Sequence, residues 1–222
     1  MTGQSWWRVC LAAGVVIIVV QGWMGTVENT DPCGSTDGMP AILEFELVRT
    51  PDDVGALFGS EPCRSQLADA LDQINTIDIF AFIPAFTSFL ILGALALRGS
   101  GRPIAFLAVL VALAAGLCDQ AEDQILLDIS ANLPGTQAQI DWLFWLVRGK
   151  FSLLGVAPIL IGFLMQRLDR MEKTLGAIMI VGGVVAVAGT FGTYGLMMPG
   201  IGVGWVALLI AATKNSFRSR TD

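Results

Sequence analysis

Histidine does not occur among the 222 residues, and few absences exclude more. Without it there is no bis-histidine haem site, no histidine-bearing zinc site and no Ser-His or Cys-His nucleophile. Of the four cysteines none stand in Cys-x-x-Cys spacing, so a thioredoxin-like or quinone-reducing thiol pair finds no support. Charge is scarce too, at 14% of residues. The basic residues do not cluster as a nucleic-acid site requires, so no nucleic-acid partner is expected.

What the chain has instead is hydrocarbon. Hydrophobic residues make up 54%, the mean hydropathy is +0.68, and apolar runs near membrane-spanning length recur. The expected fold class is an all-α membrane protein: a single bundle of six transmembrane helices over about 7–25, 77–97, 103–127, 141–165, 175–194 and 197–213. The first run starts like a secretory signal, but no small-x-small cleavage site follows it, so an uncleaved anchor is expected.

Between the first two spans lies a polar segment, 26–76, with Cys33 and Cys63. On the exported side these form a disulfide whose loop is long enough to contribute ~3–4 kcal/mol in the chain-entropy model. Alternation over 42–48 suggests a short strand with Glu44 and Glu46 on its wet face. Thr50, Pro51, Asp52 and Asp53 read as a helix start, with Thr50 as N-cap, and Gly59 as the stop. A second helix starts near Pro62 and runs into the second span. Pro84 and Pro158 predict kinks, and residues 194–200 predict a hairpin. Gly182, Ala186, Gly189 and Thr193 make a small-residue stripe suited to close helix contact. Gly200-x-Gly202-x-Gly204 follows no strand, so it reads as hairpin and helix packing rather than a phosphate loop.

Six spans leave both termini on one side. Arg8, Arg98, Arg102, Arg167, Arg170, Lys173, Lys214, Arg218 and Arg220 share that side, whereas the other has only Arg49 and Arg64. By the positive-inside rule the termini are cytoplasmic and the cysteine segment is periplasmic, in a bacterial inner membrane.

Five charges break the apolar pattern. Asp119, Glu122 and Asp123 are spaced to share one helix face, continued by Leu126, while Asp128 points elsewhere. Arg148 and Lys150 are two apart in the fourth span, so at most one of them faces that stripe; the other needs a partner such as Asp78 or Asp141. Counting ~1.5 Å per residue inward from Asp128 and Asp141 puts Asp119 and Lys150 both roughly 13 Å below the outer surface. An uncompensated charge at mid-membrane costs about 2.5–3.5 kcal/mol even on lenient scales, so pairing across the two spans is expected. Three uses stay open. The cluster is a structural clasp, or it is a proton- or ion-handling site or a pocket for a lipid headgroup or small amphiphile. The third is an intramembrane hydrolase, which needs an activated nucleophile or a metal. Three carboxylates suit a divalent ion, but Lys150 or Arg148 would compete with it. No metal, cofactor or catalytic residue is therefore expected.

The segments Phe45-Glu46, Ile77-Asp78, Asp119-Gln120-Ala121-Glu122-Asp123 and Lys150-Phe151 resemble the pattern of a group of small uncharacterised bacterial integral membrane proteins. Those have Asp-x-x-Glu-Asn closing the third span and Lys-Phe in the fourth. This chain departs by having Asp123 in place of Asn and by its cysteine pair. The resemblance covers about 42–165 and implies that Lys150, rather than Arg148, is the inward partner of Asp119 and Glu122; it implies no activity. The expected role is a non-enzymatic accessory or scaffolding subunit, contacting membrane lipids and other membrane subunits and holding lipid or a hydrophobic cofactor between helices. The alternative is a small proton-coupled carrier or lipid-binding transporter that uses the acid-base cluster.

Overall fold

A computed structural model of the chain describes residues 3–34, 38–192 and 194–217. Thr193, Arg218 and Arg220, named above, lie outside the described residues. All regular structure among the described residues is helical. Six helices there are long and apolar enough to cross a membrane: Gly3–Met24, Cys63–Ala96, Arg102–Ala131, Gln137–Met165, Arg170–Phe191 and Tyr194–Phe217. Their outward faces carry large apolar side chains such as Ile18, Leu110 and Val181, which suits contact with lipid chains. The chain is thus an all-helical, multi-pass membrane protein.

The residues fall into two compact units. The first takes the start of α1 (Gly3–Met24), α5 (Ile83–Ala96) after its first residue and the first half of α6 (Arg102–Ala131). It also takes most of α7 (Gln137–Met165), with α8 (Arg170–Phe191) and α9 (Met197–Phe217). Close packing here is made by glycine. A Cβ on Gly183 would stand 2.3 Å from the Gly155 carbonyl oxygen, and one on Gly162 2.5 Å from that of Gly176. Each helix spaces its two contacts by seven residues, so α7 and α8 run antiparallel with backbones touching at two levels. The other face of α8 does the same with α9: Gly182 meets Gly200, which also meets Ala186, and Gly189 meets Met197. Small residues on both faces let α8 lie close to a helix on each side, where van der Waals contact must replace the hydrophobic drive that lipid removes. α9 begins at Met197, the expected start of the sixth span and a point within the hairpin expected over 194–200. Pro199 fits within its first turn, where a backbone N–H has no intrahelical acceptor.

The second unit holds the rest of α1, the cysteine segment, the C-terminal part of α6 and the start of α7. Its small helices are α2 (Ala41–Glu46), α3 (Pro51–Phe58) and α4 (Cys63–Ile77). The strand expected over 42–48 is a helix instead. Ala41 and Phe45, four apart, are its buried residues, the spacing of one helix face; the apparent alternation came from Glu44 and Glu46. Phe45 packs edge-on against Phe58 with centroids 5.0 Å apart. Thr50 and Asp53 form a reciprocal capping box, and Gly59, at φ 56°, ends α3. The Cys33–Cys63 disulfide is formed.

Candidate functional site

Along α6 the buried positions Ala105, Ala108, Ala112, Ala115, Asp119, Glu122, Leu126 and Ile129 step by three and four residues, an unbroken inward seam. Toward the N-terminal end of α6 the seam is alanine. Toward the other end it turns acidic, with Asp119, Glu122 and Asp123 only 3%, 0% and 2% exposed.

Opposite the acidic turns, the long helix is not regular. Asp78–Phe82 forms a single π turn linking α4 to α5. Pro84 explains it. The Ile83 N–H donates to the Asp78 carbonyl, five residues back. The next bond in that pattern would run from residue 84 to the Ile79 carbonyl, and proline has no N–H to give. Gln120 supplies it, its Nε2 donating to the Ile79 oxygen at 2.8 Å. The extra residue turns the helix by about one step (~100°) and presents Asp78 to α6. Among the described residues, Asp78, Asp119 and Asp123 each bring a carboxylate oxygen to within 4.8 Å of the others. Like charges so close repel strongly away from bulk water, so the set demands cations around it.

One turn outward on α4, Asn75 is 1% exposed and its amide nitrogen has no hydrogen-bond partner among the described residues. Two ties to α6 flank it in sequence: the Ser130 hydroxyl stands by the Asp72 carboxylate, and Gln120 binds Ile79 in the π turn.

Of the remaining expected residues, Asp141 sits one turn into α7, where Gln137 Nε2 donates to it at 2.9 Å while also donating to the Arg49 carbonyl at 3.0 Å. Arg148, in the first unit, donates from Nη2 to the Tyr194 hydroxyl at 2.8 Å. Lys150 is 4% exposed. None of Asp78, Asp119, Glu122, Asp123, Arg148 and Lys150 is without an interaction partner.

Sequence reasoning gave no role to the buried Asn75 or to Gln120, which ties α6 to the π turn. It also passed over a polar group in the first unit. There Lys214 Nζ contacts Glu172 Oε1 at 2.8 Å and Asp169 Oδ2 at 3.3 Å, and Asn215 donates to Glu172. Glu172 is buried, in a cavity of about 650 Å³ also lined by Trp7, Ser100 and Arg167. The spacing of Glu172 and Lys214 gave no signal, because the α8–α9 hairpin alone brings them together. No family model matches the chain, and no curated protein or solved structure matches it either.

Proposed function

We propose that the protein is a small cation-coupled carrier of a bacterial inner membrane, with both termini cytoplasmic, and that the acid cluster on α6 is where the coupling cation is held. One observation carries the reading: three carboxylate oxygens from two helices gather within 4.8 Å at a π turn, with two of the three side chains buried. Ionisable groups inside a membrane are costly and are typically kept for ion or proton pathways. π turns concentrate at functional sites. The scarcity of bases on the cysteine side and their abundance on the other support the orientation.

The experiment needs no knowledge of the substrate. Purified protein in liposomes on a solid-supported membrane should give a transient displacement current after a pH or cation jump, as the cluster takes up charge. The current should vanish in Glu122→Gln and Asp119→Asn variants that still fold. A silent parent protein that co-purifies in mild detergent with a larger complex would instead favour the accessory-subunit role.

A further inference from the structure

We propose that the cavity among the ends of α1, α5, α7, α8 and α9 is a binding site for the phosphate headgroup of an anionic phospholipid, with the Arg167 guanidinium as the phosphate ligand. The site lies wholly within the first unit and does not depend on the cation-holding reading of α6.

Its depth is set by where its residues stand along the helices. Trp7 stands near the start of α1 and Leu97 directly after α5. Arg167 stands two residues past α7, Glu172 in the first turn of α8 and Asn215 in the last turn of α9. All of them line one space of about 650 Å³, within the ~300–1,000 Å³ of small-ligand sites. A cavity at the ends of helices long enough to cross a membrane opens at the level of lipid headgroups, where indoles such as Trp7 are favoured.

Charge selects the ligand. The two acids of the wall are already answered, since Lys214 Nζ lies 2.8 Å from Glu172 and 3.3 Å from Asp169. The arginines are held differently. Arg167 Nη1 donates to the Ser100 carbonyl at 2.6 Å. Arg98, between the lining residues Leu97 and Gly99, donates to the Leu95 carbonyl at 3.2 Å. Arg8, next to Trp7, donates to the Ser216 carbonyl at 3.3 Å. Among the described residues, none of these three guanidiniums is paired with a carboxylate. Carbonyls fix them without neutralising them. With Lys214 they make four bases against two acids at one end of one unit, so the local field favours an anion.

Topology asks only that bases lie on this side; it does not ask that one of them line a cavity between helices. A guanidinium carries five N–H donors in a planar fork. Arg167 spends one on Ser100 and keeps others for phosphate oxygens, which that fork fits. Basic pockets between membrane helices recognise anionic headgroups in this way. Leu97 and the Trp7 indole give the carbons beside the phosphate an apolar wall.

Native mass spectrometry of the delipidated full-length protein in mild detergent tests this. The protein is titrated with phosphatidylglycerol and with phosphatidylcholine of the same chains, and thermal unfolding is followed alongside. The parent should bind the anionic lipid about tenfold more tightly, the worth of one charge-assisted contact, and melt higher in its presence. Arg167→Gln, which still offers Ser100 a donor, should lose that preference while melting like the parent without lipid. Where Arg167→Gln fails to fold, Arg167→Lys carries the test, and an undiminished preference there would overturn the assignment. Arg102→Gln removes an exposed base that does not line the cavity, and should keep the preference. Equal loss in Arg102→Gln and Arg167→Gln would reduce the effect to surface attraction and overturn the site. Equal affinity of the parent for both lipids would overturn it too, as would parental preference in Arg167→Gln. Displacement of the lipid by an equal concentration of inorganic phosphate would overturn the lipid as ligand. Arg167→Gln should leave the displacement current intact, so failure here is distinct from failure of the cation reading.

Discussion

Gln120 replaces a hydrogen bond that Pro84 takes away, its Nε2 reaching the Ile79 carbonyl at 2.8 Å. The contact ties the acidic seam of α6 to the π turn that presents Asp78. It predicts a conditional dependence. Gln120→Leu leaves a buried carbonyl without a donor, which costs about 1–3 kcal/mol. In a Pro84→Ala background the restored N–H at 84 offers the helix its own donor, so the same change should cost much less. Thermal unfolding of the four proteins in detergent measures this coupling. Equal losses in both backgrounds would mean that the glutamine does not serve the proline's missing bond.

The capping box of α3 predicts a pH dependence outside the membrane. The Arg49 backbone N–H, at 2.9 Å, is the main group holding the Asp53 carboxylate below its ordinary range. Desolvation opposes it, and the Thr50 hydroxyl and backbone N–H add to the lowering. A depressed carboxylate stabilises the fold above its unfolded value, ~3.9, and that contribution is lost as pH falls through the lower folded value. Hydrogen exchange of the α3 amides, compared at each pH, should show parent and Asp53→Asn converging in acid and diverging toward neutrality. Thr50→Ala should loosen α3 by about 1 kcal/mol at neutral pH. A parent–variant difference that stays constant across this range would refute the role of the ionised cap.

Much of this was legible because it is local. Thr50-Pro51-Asp52-Asp53 encodes its helix start within four residues, and the spacing of Asp119, Glu122 and Asp123 encodes their shared face. The disulfide followed from two cysteines in one polar segment. The short helix α2 was misread because six residues hold too few turns for periodicity to show. The π turn needs two facts at once, a proline after Asp78 and a donor on another helix. Glu172 and Lys214 meet only because glycines draw α8 and α9 together, and tertiary proximity of that kind leaves no local trace.

Those glycines make the sharpest packing prediction. Gly183 and Gly202 lie in neighbouring helices, and propensity alone favours alanine at either place by up to about 1 kcal/mol. Their surroundings differ. A methyl group on Gly183 would lie 2.3 Å from the Gly155 backbone oxygen, whereas one on Gly202 meets nothing within 4 Å. A backbone atom cannot swing aside as a side-chain tip can, so α7 and α8 must separate and lose contact along both glycine levels. Gly183→Ala should therefore destabilise by about 1–3 kcal/mol or more, and Gly202→Ala should be neutral or slightly stabilising. Unfolding in a denaturing detergent titration gives both values. A double variant with Gly155→Ala should cost less than the sum of the singles, since the first substitution already opens the shared contact. Full additivity would show that the two glycines do not share one close approach.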